Sequence, residues 1–381
     1  MLITRKYLLH TVLLLAIIVF GACPEDDACA MRIQTSYGTY GNTTEEVFNF
    51  FKPVTKAPTP LVIVVHQGGF VTGSKDDLLM KRLCDDMGRC GIAAAAINYE
   101  LIVPNTFGEV GGMVLDVIQR ENSVKKQIYH AIQDVKAAVR YFRANANTYD
   151  IDTNQIHLVG YSAGAIAVLH AVFMSDEEAR QHYFGPVIVE QEHCLDCRGG
   201  NPNVSSAVKG ALAINGALFS SQFISDTDTT ALLLAYGKND QMVNPGAGMP
   251  LQKCVKDIKI DLPSLLFELG IVSNQVSDTR TGREQKRKEA MVTGFKTNFF
   301  IPDDVMGMLR NIFTSEMYGS TTIRSLAKGG RLDIFVSEGG HNFLLERDGT
   351  PTDDYQKLKE KIIAFVKSNI TEGVSRRRER H

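Results

Sequence analysis

Most of the information about the fold lies in one stretch, Ile156-His157-Leu158-Val159-Gly160-Tyr161-Ser162-Ala163-Gly164-Ala165. It begins as an apolar run typical of a buried strand and continues into a helix-forming run. The pattern G-x-S-x-G lies between them, and its glycines leave room for a sharp turn that lifts the Ser162 hydroxyl out of the backbone. The stretch therefore predicts a nucleophile elbow and acyl-transfer chemistry, although a glycine-flanked serine is also found in plain turns.

A serine hydroxyl is a weak nucleophile, so it needs a histidine base and a carboxylate that orients the histidine. A second apolar run, residues 231–237, is typical of a buried parallel strand, and a short polar loop with Asp240 follows it. A third run, residues 332–336, leads into a loop whose paired glycines can carry His341 toward the serine. We predict Asp240 as the orienting acid and His341 as the general base. The alternatives are a turn-forming aspartate and a solvated histidine.

Other residues of the same types fit these roles less well. Three histidines lie inside a predicted strand or on predicted helices, and we expect them to be core or surface residues: His157, His170 and His130. Asp226 and Asp228 are the rival acids, because they come shortly before the strand at 231–237. They would lie at the wrong end of that strand.

A loop upstream of the serine is the predicted source of oxyanion donors. The apolar run at 60–65 reads as a buried strand, and His66-Gln67-Gly68-Gly69-Phe70 follows it. Glycines let the main chain approach a substrate carbonyl closely, so we predict the N–H groups of Gly68, Gly69 and Ala163 as the donors. A plain Gly-Gly turn is the alternative. We expect His66 to hold the loop by a hydrogen bond rather than to act as a base.

With these elements in this order, the chain resembles the α/β-hydrolase superfamily, and within it the carboxylesterase and lipase group that carries an H-G-G-G loop. The resemblance runs from about Val47 to Val366. It implies a serine hydrolase that cleaves carboxylic esters through an acyl-enzyme, without a cofactor. Ser162, Asp240 and His341 would take the family's nucleophile, acid and base roles.

Three departures from the family pattern affect this interpretation. Gln67 replaces the first glycine after His66, and Tyr161 stands where hormone-sensitive-lipase-like members carry an acidic residue, which favours a likeness to secreted feruloyl or acetyl esterases. The third is the long stretch at 245–317 between the acid and histidine strands, which we interpret as an inserted helical cap. Its apolar, methionine-bearing segments could line an acyl or aromatic pocket or simply pack the cap onto the body.

The alternation of strands and helices predicts an α/β fold with a mostly parallel sheet covered on both faces. Strands are expected near Leu61, Ile92, Ile156, Leu212, Leu232 and Leu332, and helices at Ser123–Ala146, Ala163–Phe173 and Asp354–Asn369. One catalytic domain, residues 31–370, accounts for the 381-residue chain. The formal net charge of −2 and the dispersed basic residues argue against nucleic-acid binding. Residues 371–381 form a basic tail that we expect to be frayed.

The N-terminal residues 1–22 are predicted to be a signal peptide, because a positive start precedes an apolar stretch too short for a confident membrane span. Export is therefore expected. Two processing sites compete. Cleavage before Cys23 would make it a lipidated residue that attaches the protein to a membrane, and the alternative is cleavage after Ala30. Removing Cys23 from the seven cysteines leaves an even number that could pair, which favours the lipoprotein.

In an exported protein, cysteines are expected to form structural disulfides. Cys84 and Cys90 are candidate partners across a short loop, and Cys194 and Cys197 could close another. A single C-x-x-C without a second ligand pair argues against a zinc site, so we predict no metal.

Two alternatives to an esterase remain open at this stage. One is a serine peptidase on the same fold, and the other is a non-catalytic surface lipoprotein that retains the hydrolase fold to bind ligands. The presence of Ser162, Asp240 and His341 argues against the second, because a pure binder has no chemical need for all three.

Overall fold

A computed structural model describes residues 29–101, 115–225, 227–240, 242–246, 317–327 and 330–378. Its strands are β1 (Ile33–Thr39), β2 (Val47–Pro53), β3 (Thr59–Val65), β4 (Ala93–Ile97), β5 (Ile151–Tyr161), β6 (Gly210–Ile214), β7 (Ala217–Leu218), β8 (Ala231–Gly237), β9 (Tyr318–Gly319) and β10 (Leu332–Ser337). Its helices are α1 (Leu78–Arg89), α2 (Leu115–Ala144), α3 (Ala146–Tyr149), α4 (Ala163–Phe173), α5 (Asp176–Gln181), α6 (Gly185–Glu192), α7 (Ser320–Leu326) and α8 (Asp353–Arg378).

Eight strands form the central sheet in the order β1-β2-β4-β3-β5-β6-β8-β10. β2 runs antiparallel to both of its neighbours, and the pairs from β4 through β10 are parallel. A two-stranded sheet of β7 and β9 lies apart from it. Because β3, β4, β5, β6, β8 and β10 run the same way, the loops that follow them gather at one edge of the sheet.

The side chains of β3 explain why helices cover both faces of the sheet. Leu61, Ile63 and Val65 belong to one apolar cluster, which also contains residues of α2 and α4. Val62 and Val64 belong to a second cluster, with residues of α1 and α8. Successive residues of a strand point to opposite faces, so a continuous apolar run is what a sheet buried on both sides requires.

The mostly parallel sheet with helices on both faces is confirmed, and a strand is present at each predicted place. The helix at Ala163–Phe173 has the predicted bounds, whereas α2 begins at Leu115 and α8 continues to Arg378, into the stretch expected to be frayed. The sequence reading missed the antiparallel pair β1 and β2. The proposed cap lies largely outside the described residues.

The cysteine pairing differs from the prediction at one of its two pairs. Cys194 and Cys197 are bonded as expected, but Cys90 is bonded to Cys29, and Cys84 is a buried free thiol. The pairing of Cys84 with Cys90 was wrong because Cys84 points into the core beneath α1, where burial raises the pKa of its thiol. The Cys29–Cys90 bond ties the chain before β1 to the end of α1.

In the part of the chain that the structure describes, no helix is long and apolar enough to cross a bilayer.

Candidate active site

Ser162 stands where β5 ends and α4 begins. Its backbone has φ 52° and ψ −116°, outside the regions that L-residues usually adopt. Its N–H donates to the carbonyl of Ile214 at the end of β6, with an N···O distance of 2.8 Å. A strained residue at a strand-to-helix turn is the geometry that a nucleophile elbow predicts.

The two glycines of the elbow have no room for a side chain. A Cβ on Gly160 would lie 2.3 Å from the carbonyl oxygen of Gly164, and a Cβ on Gly164 would lie 2.3 Å from that of Val65. Both contacts are with backbone atoms, which cannot swing aside as a flexible side chain can. The turn therefore packs directly against the end of β3.

The structure brings the three predicted triad residues into one hydrogen-bonded chain. His341 Nε2 lies 2.9 Å from Ser162 Oγ, and His341 Nδ1 lies 2.8 Å from Asp240 Oδ2. A carboxylate can only accept, so Nδ1 carries a proton that it donates to Asp240, which leaves Nε2 to accept the serine proton. All three side chains are buried.

The second carboxylate oxygen of Asp240 is held as firmly as the first. Oδ1 accepts hydrogen bonds from the N–H groups of Met242 and Val243, at 2.8 and 2.9 Å. The loop after β8 thus turns back onto its own carboxylate and fixes the orientation in which Oδ2 faces His341.

The acid-bearing and histidine-bearing loops are also bonded to each other. Asn239 donates from its backbone N–H to the carbonyl of Gly339, at 3.1 Å, and from its side chain to that of Glu338, at 2.7 Å. The N–H of Lys238 donates to the carbonyl of Ser337 at 2.9 Å. Because β8 and β10 are parallel neighbours, their ends present these groups side by side.

The predicted oxyanion donors lie at the same end of the sheet as the serine. β3 is paired with β5, and Val65 is opposite Gly160, so the loop after β3 emerges beside the elbow. Gly68 and Gly69 have φ angles of 123° and 62°, which glycine adopts without strain. Ala163 is the first residue of α4, where an N–H has no acceptor within the helix. Their role as oxyanion donors stays a prediction.

His66 holds the start of this loop. Its Nδ1–H donates to the carbonyl of Gln67 at 2.7 Å, and its ring stacks on Tyr99 with centroids 4.2 Å apart. Tyr99 in turn donates its hydroxyl to the His66 carbonyl at 3.2 Å. Burial lowers the pKa of His66 to about 4, against a smaller opposing effect of the bond to Gln67, so the ring is neutral near pH 7. The geometry fits the loop-holding role that we expected for His66.

Sheet order and elbow together decide the fold. β2 runs against its neighbours at one side of a parallel sheet, a G-x-S-x-G turn joins β5 to α4, and an acid and a histidine follow β8 and β10. The chain has the α/β-hydrolase fold. The BD-FAE family model matches residues 111–195 of the chain, a region that contains the elbow but neither Asp240 nor His341.

The chain is similar to proteins described as esterases. It is 25% identical over 185 residues to Gut esterase 1 of Caenorhabditis elegans, and the match covers 49% of this chain but only 30% of that relative. Among solved structures it is similar to Thermogutta terrifontis esterase 2, with 13% identity, a TM-score of 0.49, and coverage of 88% of this chain and 94% of the other. It is also similar to esterase B of Lactobacillus rhamnosis, with 13% identity, a TM-score of 0.47, and coverage of 98% and 97%.

The rival residues lie away from the serine hydroxyl. His157 is buried inside β5, and His170 donates from Nδ1 to the Ile166 carbonyl within α4. His130 Nε2 lies 2.6 Å from a carboxylate oxygen of Glu192. Asp228 accepts from the N–H of Ser225 in a turn before β8, and Asp226 lies outside the described residues.

One charged cluster near this edge has no contact with the triad. Glu100, which follows β4, is bonded to His130 of α2 and to Arg198. Burial raises the pKa of Glu100, but the hydrogen bonds from His130 and Arg198 outweigh it and hold that pKa at about 2. The cluster ties α2 and the loop after α6 to the sheet, which is a structural role. In the described ranges, no group of three or more His, Cys, Asp or Glu side chains could hold a metal ion.

Sequence reasoning missed two residues that contact the site. Asn215 directly follows β6 and is buried, and Tyr99 stacks on His66. One signal could have singled out Asn215, because it is a polar residue that follows an apolar strand. Asp240 and His341 were predicted from the same kind of position, in polar loops after apolar strands. Tyr161 was noted only as a departure from a family pattern, although its hydroxyl contacts the histidine loop.

Proposed function

We propose that this protein is a serine hydrolase that cleaves carboxylic esters, with Ser162 as nucleophile, His341 as general base and Asp240 as the orienting acid. The observation that carries the proposal is the hydrogen-bonded chain from Ser162 Oγ through both ring nitrogens of His341 to Asp240 Oδ2. The likeness to Gut esterase 1 supports the ester as the bond that is cleaved.

In the first half of the reaction, His341 Nε2 removes the proton of Ser162 as Oγ attacks the ester carbonyl. The N–H groups of Gly68, Gly69 and Ala163 stabilise the oxyanion of the tetrahedral intermediate. The imidazolium then gives its proton to the alkoxide, which leaves as an alcohol, and the acyl group remains on Ser162.

In the second half, a water molecule replaces the alcohol. His341 removes a proton from the water as its oxygen attacks the acyl carbonyl, and the same proton returns to Ser162 Oγ when the acid leaves. Throughout, Asp240 accepts from Nδ1–H, which keeps Nε2 available as the proton acceptor and stabilises the imidazolium.

The proposal is tested by assaying p-nitrophenyl esters of increasing acyl length with the wild type, Ser162→Ala and the matched control Ser205→Ala. Ser205 lies in an exposed loop, where its Oγ accepts from the N–H of Ala207. We expect kcat/KM to fall by at least about 10⁴-fold in Ser162→Ala and to be unchanged in Ser205→Ala. Equal rates in all three proteins would overturn the assignment.

A fluorophosphonate probe and an amide substrate separate the remaining alternatives. A serine esterase becomes labelled at Ser162 and cleaves a p-nitrophenyl ester much faster than the matching p-nitroanilide. Comparable rates on the ester and the anilide would favour a peptidase. An unlabelled Ser162 in folded protein would favour the surface-binding alternative.

We also propose that the protein is exported and processed before Cys29. The Cys29–Cys90 and Cys194–Cys197 disulfides support an oxidising compartment. Cleavage before Cys23 keeps the first of these bonds, whereas cleavage after Ala30 would remove Cys29. Intact-mass measurement of the mature protein tests this. The mass of a chain that begins at Cys23 and carries acyl chains would support the lipoprotein. The mass of a chain that begins at Met31 would overturn the proposal.

A further inference from the structure

The backbone carbonyl of His341 receives hydrogen bonds from two buried side chains. Tyr161 places its hydroxyl 2.5 Å from this oxygen, and Asn215 places its side-chain Nδ2 at 2.6 Å. A carbonyl oxygen has two lone pairs, so the two donors satisfy it completely. The groups belong to different parts of the fold, because Tyr161 precedes the nucleophile and Asn215 follows β6.

Asn215 connects three of the loops that form the site. Its Oδ1 accepts the N–H of Gly237, at 3.1 Å, where the acid-bearing loop begins, and its own N–H donates to the carbonyl of Ala235 at 2.8 Å. The residue before it, Ile214, accepts the N–H of Ser162. Its φ of 50° lies in the left-handed region, where asparagine is several-fold enriched among non-glycine residues.

Tyr161 adds a contact with the imidazole itself. Its ring lies nearly parallel to that of His341, with an interplanar angle of 25° and centroids 5.7 Å apart. The hydroxyl is also 2.8 Å from Oδ1 of Asn342, but it has a single proton and its shorter contact is with the His341 carbonyl. The residue therefore contacts the backbone and the ring of the same histidine.

His341 needs such support because its loop has little stiffness of its own. It follows Gly339 and Gly340, and glycine loses more conformational freedom on folding than any other residue. The Nε2–Oγ contact requires the ring to stay in register with an elbow that is rigidly packed. A displacement of about 1 Å at a reacting group can cost about 10²-fold in rate.

We propose that Asn215 and Tyr161 are positioning residues that hold the His341 backbone so that its ring reaches both Ser162 and Asp240. This inference rests on the proposed function, since it assigns the two residues to the same reaction. They act through His341 and do not touch the reacting bond.

The test measures kcat and KM on a p-nitrophenyl ester for Asn215→Gly, Tyr161→Phe and the double variant. Asn215→Gly keeps a left-handed backbone without strain but loses the donor to His341. Tyr161→Phe keeps the ring and loses the hydroxyl. Asn201, which has φ 59° in the loop between α6 and β6, provides the matched control Asn201→Gly.

We expect kcat to fall by about 10- to 100-fold in Asn215→Gly and by about 3- to 10-fold in Tyr161→Phe, with KM changed by less than about 3-fold. Because both donors hold one oxygen, the double variant should depart from the product of the single effects. Asn201→Gly should match the wild type.

Titration of the active sites with a fluorophosphonate distinguishes a positioning role from a simple loss of folded protein. A positioning role lowers kcat per titrated site, whereas a merely structural role lowers the number of sites and leaves kcat per site unchanged, and that second result would overturn the inference. If Ser162→Ala abolishes hydrolysis while both single variants keep wild-type kcat, the positioning role fails and the proposed function stands. If Ser162→Ala retains full activity, both fail.

Discussion

Ser162 and the two residues joined to it by hydrogen bonds, His341 and Asp240, are held in place by different physical means. The elbow around Ser162 is defined by steric exclusion, because a Cβ at Gly160 or Gly164 would lie 2.3 Å from a backbone oxygen. The loops of Asp240 and His341 are defined by hydrogen bonds between residues that are far apart in the chain, such as Asn239 with Gly339.

This difference separates what a mutation does to folding from what it does to chemistry. A side chain added to the elbow forces backbone to move, because protein interiors are densely packed and the clashing atoms are not flexible. A change in a polar side chain of the loops can leave the backbone in place and still alter which atom carries a proton. Substitutions in the elbow should therefore lower the stability of the protein, and substitutions in the two loops should lower the reaction rate.

The largest effect is expected from Asp240→Asn, which should lower kcat by about 10³- to 10⁴-fold with little change in stability. The N–H groups of Met242 and Val243 require an acceptor at Oδ1, so the amide must turn its NH₂ group toward His341 Nδ1. Nδ1 then accepts and Nε2 carries the proton, which is the wrong tautomer for a base. Steady-state kinetics checks this, with Asp228→Asn, the half-buried rival acid before β8, as the control. Near-wild-type kcat would contradict the assigned acid.

Gly160→Ala tests the steric side of the comparison. We expect a loss of more than about 3 kcal/mol in the free energy of unfolding, because the new methyl group meets backbone atoms of α4. Gly200→Ala is the control, because a Cβ there meets nothing within 4 Å. Chemical denaturation of the three proteins measures the difference. An alanine variant as stable as the wild type would show that the elbow tolerates relaxation.

The Cys29–Cys90 disulfide lies away from both regions, so it should affect stability alone. Its sequence separation of 61 corresponds to about 4 kcal/mol in the chain-entropy account. We expect the double variant Cys29→Ala/Cys90→Ala to unfold at lower denaturant concentration with unchanged kcat, and Cys84→Ala to lose much less stability. Cys84→Ala should also have one free thiol fewer than the wild type, and one free thiol more would show that the pairing is wrong.

The smallest expected effect concerns His157 inside β5. Burial, with a lesser contribution from Lys209, lowers its pKa to about 3, and neither ring nitrogen finds a hydrogen-bond partner among the described residues. The folded-state pKa lies below the unfolded value near 6.5, so the unfolded chain binds more protons as the pH falls toward 3. Stability therefore decreases on acidification across this window.

Between pH 6.5 and pH 5 the loss from this one histidine is about 1.5 kcal/mol. His157→Leu should remove that part of the pH dependence, because leucine has no proton to bind, and should leave kcat unchanged at pH 7.5. Denaturation midpoints of the variant and the wild type at pH 6.5 and pH 5 measure this difference. Parallel pH dependence in the variant and the wild type would show that His157 is not the group responsible.

Much of this molecule could be predicted from short stretches of sequence. Apolar runs predicted β3, β4, β5, β6, β8 and β10, because burial on both faces of a sheet leaves a continuous apolar signature, and the helix at Ala163–Phe173 was placed correctly. The antiparallel pair β1 and β2 was missed. Most residues of β1 are exposed, so its sequence lacks the apolar run that marked the other strands.

The residues of the candidate site could also be predicted only in part. Ser162, Asp240 and His341 could be proposed because each follows an apolar strand, and parallel strands end at one edge. The Cys84–Cys90 pairing failed because nearness in sequence does not reveal which way a helical side chain points. Asn215 and Tyr161 were not assigned to the site because both bind the backbone carbonyl of His341, and a sequence does not show which side chain a backbone group will meet.

The sequence by itself determined the elbow and the order of Asp240 and His341 along the chain, since local steric limits and strand patterns depend on neighbouring residues. Only the tertiary structure decided which atoms meet: the two nitrogens of His341 with Ser162 and Asp240, and its carbonyl with Tyr161 and Asn215. Those contacts join residues up to 180 positions apart. Hydrogen bonds depend on distances of a few tenths of an ångström, which the packing of the whole sheet sets.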